Sequence, residues 1–226
     1  MTTITGMTQI EDEFGRRRRM PRDARRTQVL AVAQALFASD GYHHVSMDDI
    51  ADHAEVSKPV LYRHFPSKLD LYLAVIDERG STLLAAVEAA LVPIEHGPVH
   101  PGDGRGVVHA IVRAYFEFVE GAGESASLLF ESDVTHDAAV RVRVDAAGAE
   151  AARGITRVLV EFSGLPAPHA ALLATALVGL AQSGATGRMR TETGLSMDEA
   201  SDLVARLAWG GVAGLIRADY DYDAAH

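Results

Sequence analysis

No cysteine occurs anywhere in the chain, which excludes disulfides, thiolate metal ligation and cysteine nucleophiles together. A reducing compartment fits. Long apolar runs are also missing. The longest nearly apolar stretch, Ala170 to Ala181, is too short to cross a bilayer of roughly 30 Å, and the first residues lack the apolar core of a signal peptide. A cytoplasmic protein without a membrane partner is expected. No Gly-x-Ser-x-Gly elbow, His-Glu-x-x-His pair or phosphate loop is present. Gly102, Gly104 and Gly106 lie in an irregular stretch without a preceding strand, and His96 and His100 flank Pro98 in a predicted loop. An enzyme is therefore not expected, with no catalytic residue, metal ligand or resident cofactor to name.

What is there is an ordinary globular composition: 226 residues, 48% hydrophobic and 23% charged, with 6% aromatic residues and a single tryptophan. Disorder needs far fewer apolar residues than this. The formal net charge of −10 argues against nucleic acid only until its distribution is read. Residues 16 to 68 hold 10 Lys and Arg against 6 Asp and Glu, whereas residues 69 to 226 hold 11 against 22. A basic head on an acidic body docks on phosphates while the body is repelled, which orients the molecule.

Residues 1–20 show no helical periodicity and end in Arg16, Arg17, Arg18 and Arg19. They read as a disordered basic arm, either touching DNA or simply solvated. From Pro21 to Asp40, Val29, Leu30, Val32, Ala33, Leu36 and Phe37 recur at helical spacing, with Gly41 where a C-terminal glycine belongs. Ser46 with Asp49 forms a capping pattern that opens a short second helix through Ile50, Ala51 and Ala54. Ser57 can cap a third helix, Lys58 to Phe65, with Pro59 in its first turn, where a missing N–H costs nothing. Ser67 with Asp70 opens a long fourth helix that ends near Pro93, and a loop runs from Ile94 to Gly106. Beyond it the periodicity is helical throughout, with Pro166 and Pro168 marking one helix start and a last helix reaching Ile216. The fold class is all-α, with about nine helices. Two units follow from this: a helix-turn-helix domain over 21–66 and a larger helical domain for ligand binding and dimerisation over 67–226.

Two short helices joined by a three-residue turn and buttressed by a preceding amphipathic helix make a DNA-reading head whose last short helix enters the major groove. The run from Ser46 to Leu71, SMDDIADHAEVSKPVLYRHFPSKLDL, closely resembles the TetR family of bacterial regulators, and the similarity extends over residues 22 to 76. The usual turn glycine is Glu55 here, and a positive φ at that residue would cost about 1 kcal/mol. The resemblance implies phosphate contacts from Ser46, Tyr62, His64 and Lys68, guanine readout by Lys58 and Arg63, and thymine-methyl contact by Pro59 and Val60. Met47 and Ser57 complete the DNA-contacting set. Tyr62 and His64 have the alternative of packing against neighbouring helices. One short recognition helix touches too few base pairs for specificity, so a homodimer on a palindromic operator in double-stranded DNA is expected.

Small residues on the last two long helices suit pairing of subunits: Ala171 and Ala174 with Val178 on one, and Gly210 with Trp209 and Val212 beside it on the other. An internal core of small residues is the alternative. The inward stripes of the body, Leu83, Val87, Leu91, Val112, Tyr115, Phe116, Phe130, Val158, Leu177 and Leu180, favour a small apolar effector, or are plain core. The stretches Leu128–Asp133, Val178–Leu180 and Ala208–Gly211, with the Ser57–Val75 run, look like actinobacterial TetR-type activators of fatty-acid synthase genes, which respond to long-chain acyl-CoA. That resemblance implies an effector of this class. The competing readings are a repressor of an efflux or catabolic gene answering a drug-like molecule, and a ligand-free architectural DNA-binding protein.

Overall fold

The computed structural model describes residues 21–96, 103–130, 137–163, 165–191 and 194–215. The basic arm with Arg16 to Arg19, His100, the 131–133 part of the Leu128–Asp133 stretch and the end of the last helix at Ile216 lie outside the described residues.

The expected all-helical class holds: no strand occurs among the described residues. Among the described residues nine α-helices, one of them only four residues long, and a four-residue 3-10 turn carry the chain. The head comprises α1 (Arg22–Asp40), α2 (Met47–His53) and α3 (Lys58–His64). In α1, Val29, Leu30, Ala33 and Phe37 form the buried stripe, and the helix stops at Gly41 with φ 78°, whose N–H reaches the Phe37 carbonyl at 3.2 Å. A reciprocal capping box starts α2: the Ser46 hydroxyl accepts from the Asp49 N–H at 3.1 Å, and the Asp49 carboxylate accepts from the Ser46 N–H at 2.9 Å. Glu55 takes the turn at φ 50°, the left-handed conformation that the missing glycine would have held without strain. The Val56 N–H then closes on the Ala51 carbonyl at 2.9 Å. Ile50, Ala51 and Leu61 fill the crossing and are fully buried.

The fourth helix, α4 (Lys68–His96), is longer than expected. It passes through Pro93 instead of ending there. An internal proline removes one backbone hydrogen bond, but Leu91 and Ile94 on either side of it are buried in the core and hold the last turn in place. The glycine-rich stretch is also partly helical, because α5 (Asp103–Ala122) begins before Gly104 and Gly106. A Cβ at Gly104 would stand 3.3 Å from the Trp209 ring, so this glycine provides space for a helix contact and does not mark a loop.

A 3-10 turn (Gly123–Ala126) leads to α6 (Ser127–Phe130), followed by α7 (Ala138–Ser163), α8 (Ala167–Arg190) and α9 (Met197–Leu215). The long helices pack as one bundle in which α4 lies on α7 and α5, and α8 lies against α7, α5 and α9. Close approaches occur where side chains vanish. A Cβ on Gly80 of α4 would be 3.2 Å from the Ala147 Cβ of α7, and one on Gly184 of α8 would be 2.9 Å from a Val204 methyl of α9. Ion pairs staple the outside, with Arg113 of α5 to Asp198 of α9 and Arg188 of α8 to Glu120 of α5, each at 2.8 Å. By length and composition α8 is apolar enough to cross a membrane, yet Ala170, Ala174, Ala181 and Ala185 are buried against its neighbours, as in a bundle core.

The head meets the body through α1 and α4. Gln34 of α1 donates to the Ser125 hydroxyl at 3.1 Å, and that hydroxyl donates to the Ala122 carbonyl at 2.7 Å.

Candidate nucleic-acid interface and effector cavity

The third helix presents Lys58, Pro59, Tyr62 and Arg63 to solvent, with Tyr62 46% exposed, while Val60 and His64 are half-buried. Ser57 precedes it. Its carbonyl accepts the Val60 and Leu61 N–H groups, but its side chain makes no cap, so the hydroxyl expected to close the helix is left to face outward. Lys58 is paired with Asp48 of α2 at 2.7 Å, an exposed contact that solvent and salt weaken.

His64 sits in the most basic surroundings of the head. Its pKa is lowered first by partial burial and then by Arg22, Arg63, Arg26 and Arg25. Three of those arginines belong to the start of α1, and Arg26 also stacks its guanidinium 5.1 Å from the Phe65 ring centre. None of the three was expected as a site residue. Their only sequence signal is the charge of the Arg22, Arg25 and Arg26 cluster, which helical spacing alone does not place beside α3.

Two expected phosphate holders have inward commitments. The Ser46 hydroxyl donates to Asp49 at 2.7 Å, and the Lys68 ammonium donates to the Tyr42 and Val45 carbonyls at 2.9 and 3.0 Å, over the Tyr42 ring. Lys68 therefore pins the α1–α2 loop to the start of α4. Met47 is buried under the head. The flank beside it forms a shallow cleft that also includes His43, His44, Ser46 and Tyr62.

The body holds a cavity of about 350 Å³ opening between α7 and α8, near the lower end of the range for small-molecule sites. Leu83, Tyr115 and Phe130 line it. The other apolar candidates do not. Val87, Leu91, Val112, Phe116 and Val158 are buried in the packed core, and Leu177 and Leu180 are half-buried, all outside the cavity walls. Periodicity identifies an inward face but not where that face leaves a gap. Val178, expected at a subunit interface, lines the cavity instead, together with Val144, Ala147 and Ala152. The polar lining is Asp145 and Thr175 on exposed backbone and the half-buried Gln182. Tyr115 is wholly buried and its pKa is pushed up to about 12 by that burial, so its hydroxyl stays protonated. Among the described residues the Tyr115 hydroxyl has no hydrogen-bond partner.

The remaining interface candidates divide. Ala174 and Val212 are buried inside the subunit, and the Trp209 ring lies against Gly104 of α5, whereas Ala171 and Gly210 are exposed. The small residues of these helices thus split between an inward and an outward face. The most exposed large apolar side chains of these helices, which no small-residue pattern reveals, are Leu172 at 72%, Leu207 at 65% and Leu203 at 52%.

Residues 29–75 match the family model of bacterial regulatory proteins, tetR family. Over 195 residues, 86% of each chain, the protein is 36% identical to the HTH-type transcriptional activator FasR of Mycolicibacterium smegmatis. The chain belongs to the TetR family. It is a DNA-binding transcriptional regulator with an N-terminal helix-turn-helix. A shorter likeness, 37% over 75 residues, 33% of this chain and 35% of the relative, joins it to the transcriptional regulator EthR of the same organism. Among solved structures, a TetR-like regulator from Rhodococcus sp. RHA1 shares 31% identity at a TM-score of 0.61, covering 87% of this chain and all of that one. FadR of Bacillus subtilis, solved with stearoyl-CoA, shares the fold at a TM-score of 0.68 and 17% identity, over 82% of this chain and 98% of its own. The agreement with FasR spans head and body alike, so the TetR architecture extends beyond the short family match.

Proposed function

We propose that this TetR-family regulator binds a palindromic operator as a homodimer and controls fatty-acid biosynthesis in response to a long-chain acyl-CoA. In this reading residues 21–66 are the DNA-binding unit and 67–226 the effector-binding and dimerisation unit, and the protein works in the cytoplasm. The observation that carries it is the 36% identity with the activator FasR across 86% of both chains, joined to a largely apolar cavity in the body. The stearoyl-CoA held by FadR on the same fold lends the effector class support.

The third helix enters the major groove, with Lys58 and Arg63 toward guanine edges and Pro59 and Val60 toward thymine methyls. Ser57 and Tyr62 hold phosphate, and Arg22, Arg25, Arg26 and His64 supply the positive field beside them. The exposed leucines of α8 and α9 meet their counterparts in a second subunit. An effector that prefers the body with misaligned heads shifts the population off DNA by its differential affinity alone.

Native mass spectrometry of protein purified from its host, followed by operator titration with and without palmitoyl-CoA, tests this. A dimer carrying acyl-CoA, whose operator affinity changes several-fold on adding palmitoyl-CoA, is expected. A different bound small molecule would instead favour regulation of an efflux or catabolic gene, and an operator affinity indifferent to palmitoyl-CoA would sink the effector assignment.

A further inference from the structure

Tyr115 combines three properties that a plain core residue does not need. It forms part of the cavity wall with Leu83, Phe130 and Val178. Its ring is stacked on Phe130 at 6.5 Å between centroids, with 27° between planes, so it cannot turn freely. Its hydroxyl is buried with no hydrogen-bond partner among the described residues.

Leaving a buried donor unmade costs about 1–3 kcal/mol. Phenylalanine would fill the same space and keep the ring contacts without that cost. The oxygen gains a physical use when something brought into the cavity accepts its proton. The other hydroxyl of the lining cannot substitute for it, since Thr175 already donates to the Ala171 carbonyl at 2.9 Å. Asp145 is an acceptor when ionised and repels an anionic acceptor.

We propose that Tyr115 is a specificity-determining donor of the effector cavity, beside the half-buried Gln182 amide: its hydroxyl hydrogen-bonds the thioester carbonyl oxygen of the acyl-CoA and so selects effectors carrying an acceptor there. This rests on the effector reading given above. Effectors without the carbonyl leave the donor unpaired and are discriminated against, as in other sites built around a buried hydrogen bond.

The test compares palmitoyl-CoA with its thioether analogue S-hexadecyl-CoA, which lacks only the carbonyl oxygen, on the wild-type protein and on Tyr115→Phe. Binding is measured by calorimetry and folding by thermal unfolding. The wild type is expected to prefer palmitoyl-CoA by roughly tenfold, and Tyr115→Phe to lose that preference while its empty form melts no lower than the wild type. Equal binding of the two analogues by the wild type, or a preference kept by Tyr115→Phe, overturns the hydrogen bond and leaves the acyl-CoA reading standing. A lower melting temperature of empty Tyr115→Phe also overturns it, because the hydroxyl would then already be satisfied. No binding of either analogue overturns both readings together.

Discussion

His64 joins the chemistry of a single side chain to that of the duplex. In the free protein, burial and the four neighbouring arginines hold its pKa below the ordinary histidine value. The folded head alone thus gains nothing from proton uptake, and its stability declines as pH falls below the unfolded histidine pKa. In the proposed complex phosphates neutralise the arginines and favour imidazolium, so the bound form would take up a proton more readily than the free form. Operator affinity should rise as pH is lowered from about 7.5 to about 6, and fluorescence anisotropy on His64→Gln should show a flatter profile. Glu55 makes the complementary case for strain. Its φ of 50° is held by the turn, and Glu55→Gly should stabilise the protein by up to about 1 kcal/mol, or roughly 2–4 °C in Tm by calorimetry. That strain was legible in the sequence, because the family pattern places a glycine there. The orphaned Tyr115 hydroxyl was not, since hydrogen-bond satisfaction depends on neighbours brought together from distant segments.

Helices were legible where capping chemistry and periodicity agreed. Ser46 with Asp49 and Ser67 with Asp70 both make their predicted side-chain bonds. At Pro93 and Gly104 the misses have one cause: both were read by local preference, and packing overrode it. Ile94 is buried beyond the proline, and Gly104 receives the Trp209 ring. The same close packing sets an expectation for α8 and α9. A Cβ at Gly184 would lie 2.9 Å from Val204, so Gly184→Val should destabilise by about 1–3 kcal/mol in urea unfolding through overpacking. An unchanged midpoint would mean that the two helices part without resistance.

At the level of the molecule, a basic head and an acidic body were readable by counting charges along the chain. Small residues signal close approach without saying to whom, so they alone do not place a subunit interface. Leu172, Leu203 and Leu207 are exposed apolar side chains, and in the proposed dimer a second subunit covers them. The double variant Leu172→Glu with Leu207→Glu should be monomeric in analytical ultracentrifugation at micromolar concentration. It should also lose at least tenfold in operator affinity while keeping its helical circular dichroism, since each half-site would be bound alone. A persistent dimer would move the interface to another face.

Gly80 bears on how a signal could cross this body. With only hydrogen facing the Ala147 methyl, α4 and α7 come together at this point without interlocking side chains. Such a contact yields to shear before it yields to bending. In the proposed regulator, a small axial glide of α4 at this contact would change the spacing between two recognition helices with every helix remaining intact.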